Sequence, residues 1–244
     1  MNFDQEVQQR IAAIGENTEL KTRAAEFMQA SLAPKYSYNF SWLGRPIIQY
    51  PQDMVAMQEI IWQVQPDLII ETGIAHGGSL IFSAAMLELI ESCTGKQGEV
   101  LGLDIDIRPH NRAAIEAHPL FKRISMIEGS SIAPEIIADV YAKAQGKQSV
   151  LVCLDSNHTH DHVLAELQAY APLTSVGSYC VVMDTVVEDV PNELSGDRPW
   201  GQGNNPKTAV CEYLKSHDEF VIDKSIQDKL LITVAPDGYL KRIR

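Results

Sequence analysis

The stretch Leu68–Leu89, LIIETGIAHGGSLIFSAAMLEL, decides how this chain folds. Its apolar opening, closed by Glu71, reads as a buried strand, Thr72 to Ser79 as a tight turn, and the apolar remainder as a helix. Gly73, Gly77 and Gly78 give that turn the freedom to bring main chain close to a ligand at the carboxyl end of a parallel strand. The spacing G-x-x-x-G-G matches neither the dinucleotide turn G-x-G-x-x-G nor the phosphate loop that ends in Gly-Lys-Ser/Thr, so both of those readings drop.

From about residue 51 onward, short β-rich runs alternate with helical ones, the pattern of an α/β protein with helices on both faces of a parallel sheet. Strands are expected at Asp67–Glu71, Glu99–Asp104, Arg123–Glu128, Ser149–Asp155, Gly177–Asp184, Glu219–Asp223 and Leu230–Pro236. Helices fit Pro51–Gln65, Gly78–Ser92, His110–Ala117, Ala133–Ala144, Asp161–Tyr170 and Pro206–Ser216, with Pro51 and Pro206 suited to a first turn and Asn205 to a cap. Residues 1–50 differ. Helices at about Asp4–Ile14 and Leu20–Ser31 lead into the aromatic YSYNFSWLGRPIIQYP, so 1–50 is read as a cap and 51–244 as the principal domain. The cap either simply packs on the sheet or also folds over a ligand or a second subunit.

A chain of 244 residues can bury one sizeable core. Acids outnumber bases 32 to 20, a net charge of −12 that repels a phosphate backbone and sets nucleic acid aside as a partner. No apolar run reaches the length of a membrane span. The opening MNFDQEVQQR lacks the basic and apolar regions of an export signal, so a cytoplasmic protein is expected. Cys93, Cys153, Cys180 and Cys211 lie far apart, without a CxxC pair, and read as reduced core residues.

The second informative run is VLGLDID. An acid at the tip of the strand after the glycine turn is placed to accept hydrogen bonds from both hydroxyls of a ribose, which points to Asp104. Asp106 is the neighbouring candidate, and it fits equally as a cap for the next helix. The third strand ends in Glu128-Gly129-Ser130-Ser131, so Gly129 and Ser130 fall where an adenine ring would lie, unless Gly129 is a plain turn residue. The expected nucleoside-binding set is Glu71, Thr72, Gly73, Ala75, His76, Gly77, Ser79, Asp104, Asp106, Gly129, Ser130 and Asp155.

With IIETGIAHGGSL, LGLDIDIRPHNR, EGSS, LDSNHTHDHVLAELQAYAPL, GSYCVVMDT, RPWGQGNNPKTAV and KLLITVAPDGYLKR, the chain resembles the cephalosporin hydroxylase family from about Ile69 to Arg242. Members look like class I S-adenosylmethionine-dependent methyltransferases despite the family name. The resemblance implies a Rossmann-like seven-stranded methyltransferase sheet in the order 3-2-1-4-5-7-6 with the last strand antiparallel. It implies S-adenosylmethionine as cofactor and O-methylation in antibiotic or sugar-containing product pathways. Magnesium is bound in some members, and in the cephamycin branch a partner protein takes part. A small hydroxylated acceptor and a homo-oligomer are the corresponding expectations here.

LDSNHTHDH and VVMDT set Asp155 and Asp184 at the tips of the fourth and fifth strands, within reach of one hard, oxygen-loving ion such as Mg²⁺. They serve equally as helix-capping acids with no ion. The layout resembles that of catechol-type O-methyltransferases, whose third ligand adjoins the second acid. Here that neighbour is Met183 or Thr185, so the Thr185 hydroxyl, water, Glu188 or Asp189 would complete the shell. His158 stands three residues after Asp155, where catechol-type enzymes carry a general base, and is otherwise a helix-capping residue; Asp155 and His158 are the catalytic candidates. His158, His160 and His162 cannot all aim inward from a run that turns into a helix, which argues against zinc.

Residues Val186–Asn205 form a Gly- and Pro-rich loop long enough to be a lid. In it Arg198 and Trp200 offer a cation and a flat apolar face suited to a carboxylate-bearing, ring-shaped acceptor, with Asn204, Asn205 and Lys207 nearby; Trp200 is otherwise the loop's anchor. The expected activity is therefore magnesium-assisted methylation of an acceptor hydroxyl. The alternative is a cofactor-binding subunit that transfers nothing itself and assists a partner enzyme. HTHDH lacks the H-x-D/E of an iron(II) facial triad, so an oxygenase is not expected.

Overall fold

The computed structural model describes residues 2–194 and 196–244. Its centre is the run that opens the glycine turn. Leu68–Thr72 (β3) is buried at all five positions, and so is Val150–Leu154 (β6) beside it, because helices cover both faces and leave no polar side to the strand. Glu99–Asp104 (β4), Ile124–Glu128 (β5), Tyr179–Val182 (β7), Phe220–Ile222 (β8) and Tyr239–Arg242 (β9) complete a seven-stranded sheet in the order β5-β4-β3-β6-β7-β9-β8. Only β9 runs against its neighbours β7 and β8. This is the expected methyltransferase order.

On one face, Pro51–Val64 (α3), Gly78–Thr94 (α4), Pro109–Glu116 (α5) and Lys224–Leu230 (α9) bury Ile61, Leu80, Ile115 and Ile226 against Ile69, Val100 and Leu151. On the other, Pro134–Ala144 (α6), His160–Tyr170 (α7) and Pro206–Tyr213 (α8) bury Val140, Leu167 and Val210 against Ile70, Leu101 and Val152. Each such aliphatic side chain contributes about 1.5–3 kcal/mol.

Two expectations need correction. The last strand is Tyr239–Arg242 and not Leu230–Pro236. Asp223 caps Ser225 N and starts the short helix α9, which stops at Leu231 with φ 61°, so the apolar run after Leu230 leads into β9 as irregular chain. What satisfies its polar groups is Asp53, fully buried in the first turn of α3: it accepts from Val234 N at 3.0 Å, Tyr239 Oη at 2.9 Å and the Thr233 hydroxyl. Burial pushes that carboxyl up to about 6. Second, Cys93 and Cys211 are exposed, and only Cys153 and Cys180 belong to the core.

The N-terminal segment holds Phe3–Glu16 (α1) and Thr18–Leu32 (α2), then a hairpin of Phe40–Trp42 (β1) and Arg45–Ile47 (β2). The hairpin lies inside the aromatic stretch YSYNFSWLGRPIIQYP, where no strand was expected. Its turn, Leu43-Gly44, holds both residues at positive φ (45° and 86°) as a two-residue hairpin demands, with leucine in place of the usual Asn or Asp signal. The hairpin packs on the start of α4: a side chain at Gly78 would overlap Pro46 O and stand 2.7 Å from Ile47 Cα. No helix among the described residues is long and apolar enough to cross a membrane.

Candidate active site

Parallel register brings the strand tips level. Leu154 pairs with both Thr72 and Val182, so Asp155 follows β6 beside the glycine turn, and Met183-Asp184 follow β7 next to it. Asp155 N donates to Thr72 O at 3.0 Å, and Gly73 N to Leu103 O at 2.7 Å. Gly73, with φ 91°, has no room for a side chain because the Asp155 main chain lies against it. The turn opens helix α4 with Gly77 as an uncapped N-terminus, φ 81°.

Several groups hold that turn. Asp104 Oδ2 accepts from Ile74 N at 2.8 Å and Ala75 N at 3.1 Å, while Oδ1 accepts from Asp106 N at 3.1 Å. The acid expected at a ribose thus already buttresses the turn, and Asp106 is exposed beside it. Arg45, reaching over from β2, donates twice to His76 O at 3.0 and 2.6 Å and once to Asn111 Oδ1 at 3.1 Å; Asn111 Nδ2 returns a bond to Ala75 O at 2.9 Å. Neither Arg45 nor Asn111 was singled out in the sequence. Asn111 adjoins the second acid run, but nothing in the aromatic stretch marks Arg45. Beneath the turn, Glu71 is 4% exposed, accepts from the Ser79 hydroxyl, and is pushed up to about 7 by burial.

A cavity of about 490 Å³ opens over these tips, lined by Gly73, Ile74, Ala75, His76, Gly78 and Ser79, by Asp155, His158 and Asp184, and by residues of the N-terminal segment and the 186–205 loop. Glu71, Thr72, Gly77, Asp104, Asp106, Gly129 and Ser130 stand behind or beside this lining. Asp104, Asp106, Ala75, His76 and Asn111 border a second hollow of about 400 Å³ next to it. Gly129 N is bonded to Asp104 O at 2.8 Å, which ties the β5 tip to β4.

At the cavity floor, one ligand atom each of Asp155, His158 and Asp184 lies within 4.8 Å of the others. His158 Nε2 is 3.1 Å from Asp184 Oδ2. Burial, and then the neighbouring negative charge of Asp184, hold the Asp155 carboxyl well above the usual carboxylate range. Two acids so close together are satisfied by a cation or a shared proton, so the donor set fits a divalent ion. Asp184 itself sits at φ 54°, ψ 22°, the left-handed region that non-glycine residues seldom occupy. Thr185 departs from expectation. Its hydroxyl is fully buried and donates to Pro236 O at 2.6 Å, and His158 takes the third corner instead.

The three histidines diverge. His160 Nδ1 meets Thr208 Oγ1 at 2.8 Å, and His162 Nε2 meets Ser131 and Ser156 at 3.1 and 3.2 Å. His158 alone turns into the cavity, its ring edge-on to Trp200 with centroids 4.7 Å apart.

The 186–205 loop is pinned rather than free. Glu188 accepts from Gly203 N at 2.8 Å and from the Asn205 amide, and Asp189 pairs with Lys207 at 2.7 Å, so neither acid turns to the floor. Asn204, expected at the acceptor, bridges His160 N and Pro199 O, both at 2.9 Å, because the loop closes there on helix α7. Arg198 and Trp200 do line the cavity, the guanidinium 5.4 Å from the ring centroid.

The family model for rhamnosyl O-methyltransferase/CmcI matches residues 34–243. The chain belongs to that family. A rhamnosyl O-methyltransferase of Mycobacterium tuberculosis (strain ATCC 25618 / H37Rv) is 33% identical over 193 residues, 78% of this chain and 73% of that protein. The one from Mycobacterium leprae (strain TN) is 30% identical over 205 residues, 83% and 82% of the two chains. A solved structure of CmcI in its Mg–SAM form shares the fold at TM-score 0.57 and 17% identity, over 85% of this chain and 78% of that one. The resemblance read from IIETGIAHGGSL and the later motifs is therefore correct. The chain is an S-adenosylmethionine-dependent O-methyltransferase, and its seven-stranded order is that of the class.

Proposed function

We propose that this member of the rhamnosyl O-methyltransferase/CmcI family methylates a hydroxyl of a sugar-containing small molecule with magnesium assistance, the methyl donor lying along the glycine turn. The observation that carries this reading is the cluster of Asp155, His158 and Asp184 on the floor of a cavity whose adjoining wall is the glycine turn. The relatives' names support the sugar, and the two adjacent carboxylates support a hard divalent ion.

The donor supplies an electrophilic methyl on a sulfonium, so the protein's task is mostly placement. Holding both reactants in line contributes on the order of 7–11 kcal/mol. Gly73 lets the turn close on the Asp155 main chain and Gly78 lets the N-terminal hairpin close on it, which fixes the wall along which the donor would lie. The exposed main chain of Ala75 and His76 borders it, and Glu71 with Ser79 presents a buried polar base to the turn. Asp104 and Asp106 stand toward the ribose, with Gly129 and Ser130 toward the adenine. Asp155 and Asp184 would hold the ion, which would supply the Lewis acidity that lowers the pKa of an acceptor hydroxyl. His158 receives the hydroxyl proton on its ring; imidazole is a poor ligand for magnesium, which fits the base better than a third ligand. Trp200 and Arg198 face the acceptor.

The test is to incubate the purified protein with labelled S-adenosylmethionine, magnesium and a panel of rhamnosides and other glycosides. Label passing to a glycoside, and stopping when magnesium is chelated, is the expected result. Donor binding without transfer to any acceptor at any metal concentration would point to a non-catalytic subunit instead. Replacing His158 by Ala separates its roles: a base leaves metal binding intact and abolishes the acidic limb of the pH–rate profile, whereas a ligand loses the metal.

A further inference from the structure

Apart from the Asp155, His158 and Asp184 cluster and the glycine turn, the cavity has a part, here the vestibule, lined by two segments far apart in the chain. Lys35 and Tyr38 come from the turn after α2, Gln49 from just before α3, and Arg198 and Trp200 from the 186–205 loop. The two segments share a small apolar cluster of their own, in which Met28 and Tyr50 pack with Val186 and Val190. The vestibule is therefore an assembled part of the fold.

Three observations describe what it would hold. Gln49 is 7% exposed, lines the cavity, and its amide makes no hydrogen bond among the described residues. That amide opens onto the cavity, where it can exchange water for the hydroxyls of a polar ligand. Lys35 Nζ lies 5.8 Å from the Tyr38 ring centroid and the Arg198 guanidinium 5.4 Å from that of Trp200. Neither cation has a carboxylate partner among the described residues, although acids outnumber bases 32 to 20; nearby Lys207, by contrast, is paired with both Asp189 and Asp237. Trp200 links the outer cation to the floor, since its other contact is His158 at 4.7 Å. Beyond the floor cluster, the acid that lines this cavity is the exposed Glu193, one charge against two.

Given the proposed methylation of a sugar hydroxyl, on which this rests, we infer that the acceptor is an anionic glycoside. Its reactive hydroxyl lies at Asp155, His158 and Asp184, its other ring hydroxyls meet the Gln49 amide, and its phosphate or carboxylate is taken by Lys35 and Arg198. The ring spans from floor to cation alongside Trp200. A neutral glycoside would leave both cations without a counter-charge and lose their attraction, which is also the part of binding that salt screens.

Two matched acceptor pairs test this: a methyl glucuronide against the methyl glucoside, and rhamnose 1-phosphate against rhamnose. The anionic member of at least one pair is expected to show a kcat/KM at least about tenfold higher, and which pair responds tells carboxylate from phosphate. Lys35→Gln and Arg198→Gln each reduce that preference about three- to tenfold through KM, with binding of S-adenosylhomocysteine unchanged. Equal rates within both pairs, or a preference that both variants retain, overturns the inference. Calorimetry on metal-free protein loaded with S-adenosylhomocysteine gives a readout that does not need turnover. Inorganic pyrophosphate should bind the wild type and bind at least about threefold more weakly to the double variant; equal binding to both, or none to either, overturns the anion site even if methyl transfer proves real. Failure of transfer with anion binding intact would instead sink the proposed reaction.

Discussion

The two sides of the cavity are held by different forces. On the side of the glycine turn, where we propose the donor lies, the wall is fixed at strand tips by the main-chain bonds Gly73 N to Leu103 O and Asp155 N to Thr72 O, and by Ile74 N and Ala75 N on the Asp104 carboxylate. On the opposite side, proposed for the acceptor, Lys35, Gln49, Arg198 and Trp200 hang from two irregular segments joined by the Met28–Tyr50–Val186–Val190 cluster and by side-chain pins at Glu188 and Asp189. A donor common to a family suits a wall set at strand tips, with the Asp104, Arg45 and Asn111 side chains as its braces. An acceptor that differs between members suits a wall of side chains, which substitution can rebuild without touching the sheet.

If the floor between the two sides does the chemistry alone, Asp184→Asn lowers kcat by about a thousandfold or more while donor affinity stays within about twofold. Chelation of divalent ions from the wild type should match it, and loss of donor binding in the variant would break the division. Gly78→Ala strikes where the N-terminal hairpin lies on the donor turn. The added methyl overlaps Pro46 O, so a cost of about 1–3 kcal/mol in unfolding free energy is expected together with weaker donor binding by calorimetry. A variant as stable and as tight as the wild type would show the hairpin to be a mere neighbour.

Arg45→Ala sharpens the same point with a smaller change. It removes the bonds to His76 O and Asn111, and about a tenfold rise in the donor Kd is expected, with kcat at saturating cofactor changed by less than about threefold. The smallest effect is in pH. Burial raises the folded-state pKa of Glu71 to about 7, so the proton is bound more tightly folded than unfolded. The stability this contributes is full below the ordinary carboxylate range and is lost as pH rises through about 7. Glu71→Gln should shrink the fall in Tm between about pH 5 and about pH 8 by a few degrees. Part of the fall remains, because Asp53, raised to about 6 by burial, acts with the same sign.

The misreadings share a cause. LLITVAP has a strand's composition but serves as the partner of Asp53, a residue about 180 positions earlier whose burial no local pattern announces. Thr185 adjoins Asp184 in sequence, yet successive side chains past a strand tip point apart, and the third corner went to His158 from the neighbouring tip. Asn204 looked available because it is polar and in a loop; the loop's own closure uses it.

From the chain alone came the alternation of strand and helix, the glycine turn, the acids that end the strands and the family they resemble. All of these rest on local period or on spacing within one segment, which neighbouring residues carry in full. Tertiary structure decided which acids meet, that Arg45 and Asn111 clamp the turn, that His158 rather than Thr185 joins the two acids, and that residues 35–50 face residues 186–200 across one cavity. Those are contacts between segments far apart in the chain, and they depend on strand order and register, which no single segment contains.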